Sequence, residues 1–149
     1  MDYIFHWNVF LQRASEGVTY LDWIISGFEV TVTLGLLSWV IALVLGSFLG
    51  VIRTSNNKWA AGFGGAYVEL FRNIPLIMQL FLWYFVAPEI LPGGDRFKQM
   101  NPVDQEFISA VVCLSTYTAA RICEQVRSGI GALPRGQRNA GLALGMTAL

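Results

Sequence analysis

The sequence predicts an all-α integral membrane protein, and three observations carry that prediction. Val30–Ile52 is a run of 23 uncharged residues. Charged side chains make up 13% of the chain and hydrophobic ones 54%, where a soluble domain usually carries about 25% charged residues. Basic residues lead in alternate connections between apolar runs, the asymmetry that cytoplasmic loops show in proteins that cross a bilayer.

The same figures exclude other classes. Ten basic residues balance ten acidic ones, so no basic excess exists to neutralise phosphates and no nucleic-acid partner is expected. A mean hydropathy of +0.51 is incompatible with a disordered chain. The N-terminus has no basic residue before Arg13 and no early apolar core, so it does not read as a secretory signal. One His and two Cys, Cys113 and Cys123 on one helical segment, make neither a metal site nor a disulfide framework, and no cofactor is expected.

Taken in order, residues 1–26 form an N-terminal outer or interfacial segment. A first span covers about 28–52: at ~1.5 Å per residue, Val30–Ile52 crosses a hydrocarbon core of ~30 Å. A second span covers about 60–87, joining Trp59–Leu70 to the apolar run Asn73–Ala87. A third covers about 104–123 around Phe107–Ala120. Arg53–Lys58 carries two basic residues and no acid, and the tail from Arg121 carries four arginines against Glu124. Both are placed inside. The N-terminal region and the turn-rich Pro88–Glu106 connection, where acids outnumber bases, are placed outside.

Several features are polar or conformational. Gly46 and Gly50 are a small-x-x-x-small pair, which either admits a second helix or reflects the ordinary abundance of Gly in membrane helices. The Gly62, Gly64, Gly65, Ala66 cluster reads the same two ways. Glu69 and Arg72 share a helix face and can pair; alternatively they sit solvated at the inner interface. Pro75 removes a donor and opens the carbonyl one turn earlier, and Gln79 lies one turn beyond it. Ser115, Thr116, Tyr117 and Thr118 either line a polar path or bond to their own helix carbonyls. In the tail, helix continues from Arg121 to Ile130, breaks at Leu133-Pro134, and resumes over Arg138–Leu149 with Gly141 and Gly145 on one face. Gly in a helix interior costs ~1 kcal/mol against Ala, which close docking of a partner would offset. The chain has no P-loop, no G-x-S-x-G and no H-E-x-x-H, so no enzymatic chemistry is expected of it.

The tail resembles the cytoplasmic coupling loop of bacterial ABC importer permeases. Asn139-Ala140-Gly141-Leu142-Ala143-Leu144-Gly145 matches the spacing of that family's E-A-A-x-x-x-G signature. Leu133–Gln137 and Leu144–Thr147 resemble the polar amino-acid branch, as does Glu69-Leu70-Phe71-Arg72-Asn73-Ile74-Pro75-Leu76 with Gln79 downstream. Thr118–Gly145 looks most like the glutamate/aspartate import permeases. Two departures stand out: Asn139 replaces the leading acid and Gly141 the second Ala. The family signature also continues past Gly145 to a Leu-Pro element and further spans.

The resemblance implies a type I ABC importer transmembrane domain over 27–149, its N-terminal three-span portion, incomplete at the C-terminus, with a coupling loop at 124–149. It implies a permease subunit in the bacterial inner membrane, N-terminus outside, moving an amino acid inward. The implied partners are a cytosolic ABC ATPase, a second permease subunit, a periplasmic binding protein, the amino-acid substrate and the lipid bilayer. ATP hydrolysis belongs to the ATPase. Gln137, Asn139, Ala140, Gly141 and Gly145 carry over as coupling residues; Glu69, Arg72, Asn73, Pro75 and Gln79 carry over as a motif whose role stays open. The alternatives are a truncated, non-transporting three-span interaction protein, or a membrane enzyme built on Glu69.

Overall fold

The computed structural model describes residues 7–15, 17–55, 57–132, 134, 136, 140–141 and 143–145. Chain contacts divide it into two units, Met1–Leu36 and Leu37–Leu149.

In the first unit a 3-10 turn, Trp7–Leu11, leads into a small antiparallel hairpin of β1 (Arg13–Ser15) and β2 (Val18–Thr19). Helix α1 (Tyr20–Thr54) starts directly after it, eight residues before the expected span. The start is chemically marked. Thr19 donates to Asp22 Oδ2 through its backbone N–H at 2.9 Å and its hydroxyl at 2.7 Å. The Asp22 N–H returns a bond to the Thr19 hydroxyl at 3.3 Å. This reciprocal box satisfies donors that a helix N-terminus leaves open.

Among the described residues the second unit contains the remainder of α1 and five further α-helices. They are α2 (Lys58–Asn73), α3 (Leu76–Phe81), α4 (Ala87–Ile90), α5 (Gly94–Lys98) and α6 (Pro102–Gly131). Asn57 caps α2, accepting from the Trp59 and Ala60 N–H groups at 3.0 and 3.4 Å. Asn101 caps α6 through Val103, with Pro102 in the first turn where its missing N–H costs nothing.

Helices α1 and α6 meet along a stripe of small residues. Ser38, Ala42, Gly46 and Gly50, four apart, are buried on α1; Ser115, Ala119, Ala120 and Cys123 are buried on α6. A Cβ on Gly46 would lie 2.7 Å from the Ala119 carbonyl, and one on Gly50 would lie 2.6 Å from Val126 Cβ. Both glycines therefore let the two backbones touch, so their packing partner is inside this chain. Helix α2 closes the other side: Leu49, Val68, Ala120 and Cys123 form the core, flanked by Leu45, Tyr67 and Phe71. Tyr67 donates its hydroxyl to the Thr116 carbonyl at 2.7 Å. Both cysteines are buried and unpaired.

Two helices, Tyr20–Thr54 and Pro102–Gly131, are each long and apolar enough to cross a membrane. The stretch 60–87, expected as one span, is not one straight helix. It is α2 followed by a second leg, Leu76–Ile90, turned by 104°. Proline explains the break: Pro75 disfavours helical backbone at Ile74, which sits extended at φ −93° and ψ 125°. The second leg is α3 and α4 joined by a π-helical turn at Leu82–Val86, in which the Ala87 N–H reaches back to the Leu82 carbonyl.

The Pro88–Glu106 connection also differs from a plain loop. Pro88 lies inside α4, and Gly94–Lys98 is a helical turn entered through Gly93 at φ +92°. Lys98 and Glu89 pair across it at 2.7 Å.

Candidate functional site

Among the described residues, polar side chains of the second unit gather at the break between α2 and α3 and at the C-terminal ends of α1 and α6.

At the break, Pro75 offers no N–H to the Phe71 carbonyl four residues before it. Gln79 supplies the missing donor. It is 3% exposed, and its Nε2 donates to both the Phe71 and Ile74 carbonyls at 2.8 Å. Its Oε1 is buried without a partner. The expected opening of a carbonyl by Pro75 and the position of Gln79 one turn on are thus two parts of one device. Asn73, at the end of α2, is exposed.

Glu69 and Arg72 share a face of α2 but make no ion pair with each other, which corrects one of the two readings of their spacing. The ion pairs among the described residues are Arg53–Glu124, Lys98–Glu89 and Arg127–Glu124. Glu69 and Arg72 are both exposed, where fixing two long side chains together gains little. Arg72 instead lines a cavity beside α6.

At the C-terminal ends, Arg53 closes α1 and donates through Nη1 to Glu124 Oε2 on α6. Arg127 donates to the other oxygen, Oε1, from Nη2 at 2.8 Å and from Nε at 3.1 Å. Glycine makes room for this cluster, since a Cβ on Gly64 would lie 2.5 Å from Arg53 Cγ. Gly62 and Gly65 have nothing near them. Sequence reasoning missed the Arg53–Glu124 bridge; the only hint was that Arg53 closes the first apolar run and Glu124 is the lone acid beyond the third.

Beside this cluster lies an open cavity of about 710 Å³, lined by Arg72, Arg121, Glu124, Gln125 and Ser128. Arg121 is held against Tyr117: its Nη2 donates to the phenol oxygen, and its guanidinium carbon is 4.6 Å from the ring centroid. A second cavity, about 210 Å³, sits under the Pro88–Glu106 connection between Trp83 and Ser109. The Trp83 Nε1 and Ser109 Oγ atoms are buried without partners among the described residues. The hydroxyls of α6 follow one of their two readings at Thr116 and neither of them at Ser115. Thr116 donates to the Val112 carbonyl of its own helix at 2.8 Å, while Ser115 reaches the Ser38 carbonyl on α1 at 3.4 Å.

In the tail, Gln137 and Asn139 lie outside the described residues. Ala140 is exposed and Gly141 half-buried. The Leu144 N–H bonds back to the Ala140 and Gly141 carbonyls, each at 3.1 Å. Gly145 then adopts φ +83°. It therefore stands just beyond a helical turn and not within one, which corrects the expectation of a helix running through it. The left-handed backbone there is the reason: glycine adopts it freely and ends the turn.

The sequence model of one family matches residues 42–149; the family is described as the binding-protein-dependent transport system inner membrane component. The chain belongs to that family. Among curated relatives of these inner membrane components, the glutamate/aspartate import permease GltJ of Escherichia coli K12 is 53% identical over 95% of this chain and 59% of its own length. GltK, a glutamate/aspartate import permease of E. coli O6:H1, is 38% identical over 89% of this chain and 58% of its own. The arginine transport permease ArtQ of Bacillus subtilis is 35% identical over 89% and 56%. A crystal structure of an amino acid ABC transporter with histidines matches with a TM-score of 0.69 at 30% identity, covering 86% of this chain and 55% of the other. The chain thus spans just under three-fifths of the length of these relatives. As an inner membrane component of this family it has the type I ABC importer permease fold and is a multi-pass membrane protein.

Proposed function

We propose that the chain acts as a transmembrane permease subunit of an ATP-driven importer for glutamate and aspartate. A periplasmic binding protein delivers the amino acid to the outer face. A second permease subunit completes the path, and a cytosolic ABC ATPase hydrolyses the ATP. The observation that carries this reading is the 53% identity to a glutamate/aspartate import permease along 95% of the chain.

The physical arrangement supports the same division of labour. The N-terminus lies outside, and the Arg53–Lys58 turn and the tail lie inside, following the charge asymmetry. Spans at about 28–52, 60–87 and 104–123 form the membrane part, the middle one broken at Pro75. The loop 124–149 receives the ATPase, with Gln137, Asn139, Ala140, Gly141 and Gly145 at the contact. Movement inward then requires inward- and outward-facing states that the ATPase and the binding protein favour differently.

The test is uptake of radiolabelled glutamate and aspartate by cells lacking their own acidic amino-acid importers. The full-length subunit is supplied with its partner permease, ATPase and binding protein. Binding-protein-dependent uptake of both substrates is expected. Uptake of arginine or glutamine instead would overturn the substrate, and absence of any uptake would overturn the permease reading.

A further inference from the structure

The geometry points to an acid-binding site inside the α2–α6 cavity, in which Arg72 and Arg121 take the carboxylates of an acidic amino acid on its way to the cytoplasm. This inference rests on the proposed transport of glutamate and aspartate and locates one station of that path.

Three observations carry it. First, the two arginines come from different helices, α2 and α6, and line one cavity of about 710 Å³, within the ~300–1,000 Å³ usual for small-molecule sites. Second, their charges are not cancelled within it. Glu124 lines the same cavity, yet its Oε2 is engaged by Arg53 and its Oε1 by Arg127. Neither Arg72 nor Arg121 has an ion-pair partner among the described residues. Third, Arg121 is oriented in advance, fixed by the Tyr117 hydroxyl and lying over its ring. A guanidinium held in place loses less freedom when it engages an anion, and its planar fork matches a carboxylate with two parallel bonds.

A glutamate or aspartate carries two carboxylates and one ammonium. Two arginines answer the two carboxylates, and Gln125 and Ser128 line the same cavity as neutral polar groups. Glutamine, with one carboxylate, satisfies only one of the arginines. The site therefore discriminates acidic from neutral side chains after the binding protein has made its own selection.

The experiment is equilibrium binding of radiolabelled L-glutamate to the assembled transporter, without binding protein, in nanodiscs of phosphatidylcholine. Saturable binding is expected, with L-glutamine competing at least about tenfold more weakly, since a charged hydrogen-bonded contact is worth ~1.5–3 kcal/mol. Arg72→Gln and Arg121→Gln should each weaken glutamate binding about tenfold or more. Arg72→Lys and Arg121→Lys, which keep charge but lose the fork, should recover part of it. Co-purification of the ATPase with every variant shows that the assembly is intact. Unchanged glutamate binding in the Arg72→Gln/Arg121→Gln double variant overturns the site, as does the lack of saturable binding by the wild type. Arginine-dependent retention of phosphatidylglycerol that glutamate does not displace also overturns it, in favour of a lipid headgroup. Uptake by the wild type, measured in parallel, keeps the two readings apart, because glutamate uptake that persists unchanged in the double variant removes the site and leaves the transport function standing.

Discussion

Gln79 donates to the carbonyl of Phe71 at 2.8 Å, the group that the ring of Pro75 leaves without a helical partner. A second bond from the same nitrogen reaches Ile74, also at 2.8 Å. The sharp turn between α2 and α3 is therefore stabilised from within, by a side chain four residues after the proline that creates it. Replacing Gln79 by Leu leaves two carbonyls unsatisfied in a buried site, at ~1–3 kcal/mol for each. The expected outcome is a lower apparent melting temperature in detergent. Pro75→Ala returns an N–H to Phe71, so Pro75→Ala/Gln79→Leu should lose less stability than the two single changes added together. Strict additivity in that double-mutant cycle would show that the two residues do not act as one device.

Contact between α1 and α6 sets a second expectation. Gly46→Val and Gly50→Val insert methyl groups where a single Cβ already lies 2.6–2.7 Å from neighbouring atoms. Each should destabilise by ~1–3 kcal/mol, read as a lower melting temperature or loss of the folded fraction on size exclusion. Gly62→Ala, on an open face of α2, should be neutral or raise stability by up to ~1 kcal/mol. Equal effects at Gly46 and Gly62 would contradict the close packing.

These two cases show how far the chain could be read in one dimension. Val30–Ile52 announces a span because its length matches the membrane thickness, whereas the spacing of the Gly46/Gly50 pair allows a close approach without deciding it. The partner surface, Ala119 to Val126 on α6, is more than 70 positions away and leaves no periodic mark. The same holds for Arg53 and Glu124, joined across 71 residues. Pro75 was legible as an opened carbonyl, but the 104° turn was not, because its size depends on how α3 packs against α6. Glu69 and Arg72 mislead for the converse reason: spacing permits a pair that exposure makes unprofitable. Gly145 sits four residues from Gly141, which suggests one helix face, whereas its backbone uses the other property of glycine.

The Arg53–Glu124 bridge should contribute more than Glu124 gains from Arg127. Its side chains are 16% and 28% exposed, whereas Arg127 is 48% exposed and only three residues from its partner. Removing one member of a part-buried pair leaves the other charge poorly solvated. Arg53→Gln or Glu124→Gln is expected to cost ~1–3 kcal/mol, and Arg127→Gln less than ~0.5 kcal/mol. The double variant Arg53→Gln/Glu124→Gln should be more stable than the sum of its single losses predicts. Thermal unfolding of the four proteins measures that coupling, and a coupling near zero would mean that the bridge holds nothing together.

Gly145, proposed above as a coupling position, separates two ways in which such a position can fail. At φ +83° with no described atom within 4 Å of a built Cβ, it has space but an unusual backbone. Asn tolerates that conformation, whereas a β-branched residue does so at ~1–2 kcal/mol or more. In the assembled importer, Gly145→Asn is expected to keep most of the binding-protein-stimulated ATPase activity. Gly145→Val should lose it, and Gly145→Trp should also lose co-purification of the ATPase while still inserting into the membrane. If Asn and Val fail equally, crowding by the partner governs the position. If Trp retains the ATPase, Gly145 does not lie at the contact, and the coupling assignment passes to the residues around Ala140 and Gly141.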